Sequence, residues 1–118
     1  MKGVTTMKML LACALGLACL TTAAGAVDTL PEETAARAEE ALILASPIAG
    51  IENRLWFDYR INVTEAQKEL TSDLRRASDI EDRRDAWEEY AVELRHERRH
   101  YIKEMAERGY RGTVTIEG

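Results

Sequence analysis

From Asp79 to Arg108 the chain runs thirty residues without glycine or proline, and its apolar residues line up on one seam. Trp87, Ala91, Leu94, Tyr101 and Met105 recur at steps of three and four or their sums, the spacing of one face of a helix. The pattern predicts a long amphipathic helix that the rest of the chain is arranged to cover. Gly109, just past its end, reads as the C-cap glycine.

Upstream, Thr29-Leu30-Pro31-Glu32 has the form of a helix start, with Thr29 as N-cap, Glu32 three residues on and proline in the first turn. The first helix is expected to continue through Ala35, Ala38, Leu42 and Ala45, its last turn from Ala41 to Ala45 apolar on nearly all sides. Ser46-Pro47 then breaks it and begins a second helix, with Ser46 as N-cap and Pro47 at the first helical position. Ile48, Ile51, Leu55 and Tyr59 share a face of that helix, and Trp56 and Phe57 flank them. Asn62-Val63-Thr64 is the best bend, since Thr64 and Gln67 form a capping box. A third helix follows on Ala66, Leu70, Leu74 and Ala77. Ser78-Asp79-Ile80-Glu81 repeats the capping pattern and starts the long helix. The alternative is one uninterrupted rod from Thr64 to Arg108, about 65 Å long, which needs a partner helix along its length. After Gly109, Thr113-Val114-Thr115-Ile116 is a short strand-like run in a tail.

The first 26 residues have a different character. Lys2 and Lys8 supply positive charge, Met9 to Leu20 is an apolar run of twelve, and Ala24-Gly25-Ala26 offers small residues where a signal peptidase cuts. A membrane-spanning helix needs about twenty apolar residues, so this run reads as a cleaved export signal. Cleavage after Ala26 leaves Val27 to Gly118 and removes both cysteines, Cys13 and Cys19, so the mature chain has no thiol chemistry. A lipoprotein reading would keep Cys19 as an acylated N-terminus and tie the chain to a membrane. Gly16 stands three residues before it, where such signals usually carry leucine.

Removing the signal also changes the charge. The whole chain carries −5; the mature part has 14 basic against 21 acidic residues, a net charge of −7. That balance argues against nucleic acid or anionic lipid as partner, because phosphate binding needs positive potential. The charges are interspersed with Leu, Ile, Trp and Tyr, which favours folded helices over disorder.

One string invites a chemical reading. His96-Glu97-Arg98-Arg99-His100 resembles the H-E-x-x-H motif of zincin metallopeptidases, which implies zinc on His96 and His100 and Glu97 polarising a metal-bound water. Three observations oppose peptidase activity. Arg98 and Arg99 stand where the buried zincin helix carries an apolar residue. With Trp87 at zero and about 100° per residue, His96 falls near 180° and His100 near 220°, away from the seam. A third ligand and a substrate cleft would have to come from fewer than a hundred residues. A non-catalytic alternative remains: the pair, in a stripe with Glu89, Glu93, Glu104 and Glu107, holds a divalent transition metal. The bland account is a solvated charged face.

Arg84 and Arg98 interrupt the seam two heptads apart, and so are expected either to snorkel at the core's edge or to meet carboxylates of a second copy in a coiled-coil-like homodimer. Val63-Thr64-Glu65-Ala66-Gln67 is similar to the Leu-Thr-x-x-Gln helix start of small periplasmic helical chaperones and metal sensors; valine replaces leucine, the motif occurs once, and no family follows from it. Glycine-rich phosphate loops, nucleophile elbows and His/Cys pairs are missing from the sequence.

The expectation is therefore an all-α protein, a small three- or four-helix bundle or long helical hairpin spanning residues 27–109, after a signal peptide of 1–26 and before a tail of 110–118. It is expected in the periplasm or secreted, without a cofactor, acting by binding another protein or itself rather than as an enzyme. Trp56, Phe57 and Tyr59, the densest aromatic patch, are the core's expected centre or, in the alternative, a partner-binding surface.

Overall fold

The computed structural model describes residues 29–111. The expected export signal, both cysteines and the Thr113–Ile116 run lie outside the described residues. Within them the chain forms three α-helices, which we number α1 (Pro31–Glu40), α2 (Arg54–Arg76) and α3 (Ile80–Glu107), with one 3-10 turn at Ile48–Gly50 and no strand. None of these helices is long and apolar enough to cross a membrane.

Helix α3 is the spine. Helices α1 and α2 both pack against it and hardly against each other. The seam is buried along its length at Trp87, Ala91, Leu94, Tyr101 and Met105, joined by Ala86 and Tyr90. α2 runs antiparallel to α3 after a loop of three residues, the short connection that makes neighbouring helices a hairpin. Its buried face is Trp56, Tyr59, Val63, Ala66 and Leu70. α1 runs parallel to α3 on the other flank and buries Ala36 completely. A side chain of one methyl group lets the two helices approach closely.

Local chemistry sets the helix ends. Asp79 is the N-cap of α3, accepting from the Asp82 N–H at 2.8 Å, while Ser78 donates from both its backbone N–H and its hydroxyl to the Asp82 carboxylate. Glu81 and Asp82 in the first turn complement the positive end of the helix dipole. At the other end Gly109 has φ +92, and the N–H groups of Gly109 and Tyr110 bond the carbonyls of Ala106 and Met105. That is a Schellman motif, which a left-handed glycine closes without steric cost.

Three expectations need correction. The first helix is capped at Leu30 with no side-chain bond, so Thr29 is not its N-cap, and it stops at Glu40, not Ala45. Beyond it Leu44 and Ile48 are buried, and each gives its backbone N–H to a tyrosine hydroxyl instead of a helical carbonyl. Ser46 and Pro47 start no α-helix; Pro47 precedes the 3-10 turn, which contains Ala49 at φ 58, and α2 begins only after Asn53, whose side chain accepts from the Trp56 N–H. The bend at Asn62-Val63-Thr64 does not exist. Thr64 lies inside α2, and its hydroxyl donates to the Arg60 carbonyl one turn back, an alternative to capping open to any helical threonine. The expected break before the long helix is present at Ala77–Asp79, with Asp79 as N-cap one residue after Ser78, so the alternative single rod from Thr64 to Arg108 does not form.

Candidate functional site

The connector between α1 and α2 is held by an aromatic cluster. Trp56, Tyr59 and Tyr101 pack with ring centroids 5.1 to 5.9 Å apart, Tyr59 and Tyr101 nearly parallel. Such ring pairs contribute about 0.5–1.5 kcal/mol beyond their buried area. The two tyrosine hydroxyls reach the connector: Leu44 N–H donates to Tyr59 at 2.9 Å, and Ile48 N–H to Tyr101 at 3.0 Å. Burial pushes the Tyr101 phenol above its usual pKa, the Ile48 hydrogen bond pulling weakly the other way. Trp56 and Tyr59 are thus removed from the expected partner surface, because the core consumes both their area and Tyr59's polar end. Phe57 is different: it is 50% exposed.

Phe57 is not alone on its side of α2. Ile61, one turn further on, is 57% exposed. Around them Arg54, Arg60, Thr64 and Lys68 are also exposed, and the Arg60 guanidinium lies over the Trp56 ring, 5.2 Å from its centroid. The outer face of α2 is therefore apolar at its centre and charged at its rim, where Arg54 pairs with Asp58 and Lys68 with Glu65. Ile61 was invisible to sequence reasoning that ended a helix at Asn62. Following the step Tyr59, Val63, Ala66, Leu70 without interruption puts Phe57 and Ile61 together opposite the core.

Between α1 and α3 lies a polar junction. Glu39 accepts from Arg98 at 2.6 Å and Arg95 at 3.2 Å, and its side chain and that of Arg98 are only 16% and 15% exposed. Burial raises the Glu39 carboxyl, but the two arginines outweigh it and hold the group below its usual range. Tyr90 donates to Glu40 at 2.5 Å, and burial, reinforced by that carboxylate, pushes its phenol well above the ordinary value. Arg37 joins Glu40 at 2.8 Å and covers the Trp87 ring at 4.7 Å. Arg84 meets Glu32 at 3.5 Å. The two seam arginines therefore find carboxylates on α1 of the same chain. The Trp87 indole N–H is buried with no acceptor among the described residues.

His96 and His100 are exposed on α3, as the helical wheel predicts. Their rings stand one turn apart and nearly parallel, with centroids 6.2 Å apart. They share a groove with Val92, Arg95, Arg99 and Lys103, all cationic but the valine. Glu97 turns to the α2 flank, where it accepts from the Asn62 amide at 2.9 Å. The three central letters of the H-E-x-x-H string thus point three ways: Glu97 to α2, Arg98 to Glu39, Arg99 to solvent.

Glu69, Asp73 and Glu89 converge between α2 and α3, their carboxylate oxygens within 4.8 Å of one another. Burial, then the neighbouring acids, raise the Glu89 carboxyl. It is the one such grouping of three or more metal-ligand side chains among the described residues, and it excludes the histidines. Sequence reasoning missed it because its members come from two helices. Compared with known proteins, the chain matches no family model, no curated protein and no solved structure.

Proposed function

We propose that this is an exported, non-catalytic helical protein that works by binding another protein, as an accessory or chaperone-like component of the envelope. The observation that carries the reading is the outer face of α2, where Phe57 and Ile61 stand half-exposed on one turn. Large aromatic and aliphatic side chains ringed by polar and charged residues have the composition of an interface centre. The amino-terminal segment supplies the argument for export, being too short and too cleanly ended for a membrane anchor. Against catalysis stands the placement of Glu97, bonded to Asn62 on the flank while His96 faces solvent on the outer side of the helix.

The test is photo-crosslinking in the native envelope from position 64, an exposed neighbour of the patch on α2. Phe57→Ser with Ile61→Ser should leave the fold intact, since both side chains already face water, and should abolish capture of the partner. Capture that persists in the double variant refutes this surface.

A second reading has a specific observation behind it. The stacked, exposed His96 and His100 have the i, i+4 spacing that can chelate a divalent transition metal from a helix surface. The three cations of the same groove oppose it, since they raise the local potential against a cation.

A further inference from the structure

The outer face of α3, opposite its buried seam, carries a charge pattern with no role inside the chain. Glu81, Asp85, Glu88, Val92, His96, Arg99 and Lys103 are all exposed. Their spacing, four, three, four, four, three, four, reads the same in both directions and is centred on Val92. At about 100° per residue all seven fall within about 40° of Val92, so they form one straight stripe roughly 33 Å long. Its amino-terminal half is wholly acidic, its carboxy-terminal half is His, Arg and Lys, and the central valine is 51% exposed. Among the described residues only Lys103 of the seven has an ion pair within the chain, with Glu107 at 3.3 Å, and both partners stay more than half exposed.

We propose that this stripe is a self-association surface, on which a second copy of the chain docks antiparallel across a two-fold axis at Val92. Such an axis sets Val92 against Val92 and brings Glu88 to His96, Asp85 to Arg99 and Glu81 to Lys103, each pair formed twice. On the flanks the same axis brings Arg95 to Glu89, while Arg84, paired with Glu32 of α1, lies opposite His100. A parallel, in-register pairing would instead set acid against acid and base against base. The symmetry identifies the occupant. An isologous contact requires a surface complementary to its own reverse, whereas a foreign partner places no such demand. The groove formed by Val92, Arg95, His96, Arg99, His100 and Lys103 is the seat for the partner copy's acidic half. This surface is separate from the outer face of α2, and failure of one proposal leaves the other untouched.

Sedimentation velocity on the full exported chain over a wide concentration range tests it, with Asp85→Arg and Arg99→Asp made separately. The wild type should show a monomer–dimer equilibrium. Each single variant places two like-charged contacts in its own dimer, and its dissociation constant should rise roughly tenfold or more. Mixing the two variants is decisive, because an Asp85→Arg chain facing an Arg99→Asp chain has opposite charges at both sites. That mixture should dimerise as the wild type does, and D85R/R99D in one chain should do the same. A wild type that stays monomeric throughout, single variants that self-associate as well as the wild type, or a mixture that stays monomeric would each overturn the proposal.

Discussion

The tyrosine clamp on the connector makes a quantitative prediction. Tyr101→Phe deletes one oxygen and keeps the ring that stacks on Tyr59 and packs against Trp56. It leaves the Ile48 N–H, now bonded at 3.0 Å, without its acceptor in a site where Ile48 and Tyr101 are each about 2% exposed. Water cannot readily replace the lost oxygen, so the cost is that of an unsatisfied buried donor, about 1–3 kcal/mol. For a domain of this size each kcal/mol corresponds to about 4–8 °C in Tm. Urea unfolding followed by helical circular dichroism and by tryptophan fluorescence measures the loss. Amide hydrogen exchange locates it, since Ile48 should lose protection more than amides within α2. A change below about 0.5 kcal/mol with Ile48 protection intact would show that the hydroxyl does not hold the connector and that its course is set by side-chain packing alone.

Other outcomes follow from the same geometry. Asp79→Ala should cost about 1 kcal/mol of stability by removing the α3 cap, whereas Thr64→Ala should change little because Thr64 caps nothing; a comparable loss from both would restore a helix boundary at Thr64. Glu39→Gln should destabilise by about 1–2 kcal/mol near neutral pH. The native Glu39 carboxyl titrates below its unfolded value, so its contribution is present above the ordinary carboxyl range and lost as pH falls through the native value; the variant and wild type should therefore converge in strong acid, as thermal melts at a series of pH values will show. If His96 and His100 hold a transition metal, copper, nickel or zinc should raise Tm in a manner lost in H96A/H100A; a Tm unmoved at millimolar metal would end that reading. A chaperone of the holdase type should suppress aggregation of an unrelated client at near-stoichiometric ratio without ATP, and no suppression would leave the accessory role alone.

The sequence by itself determined the spine. The period of Trp87, Ala91, Leu94, Tyr101 and Met105 is a property of one helix, read along thirty residues with no breaker, and it correctly assigned the buried seam and the exposure of both histidines. The Schellman stop at Gly109 was equally local, since it depends on a glycine's freedom at positive φ. The caps were ambiguous because Thr64 and Ser78 offer the same side-chain chemistry, and the choice between them lay elsewhere. Val63, Ala66 and Leu70 gain more by staying in one continuous face against α3 than Thr64 gains by capping. Tertiary structure also decided the fate of Ala41 to Ala45. Helix formation there competes with hydrogen bonds to Tyr59 and Tyr101, 15 and 53 residues away, and neither partner is visible from the local pattern. The seam arginines show the same limit. Period could mark Arg84 and Arg98 as needing carboxylates, but only the parallel lie of α1 along α3 decided that Glu32 and Glu39 of the same chain supply them, because the distance between charges is set by packing and not by position in the sequence.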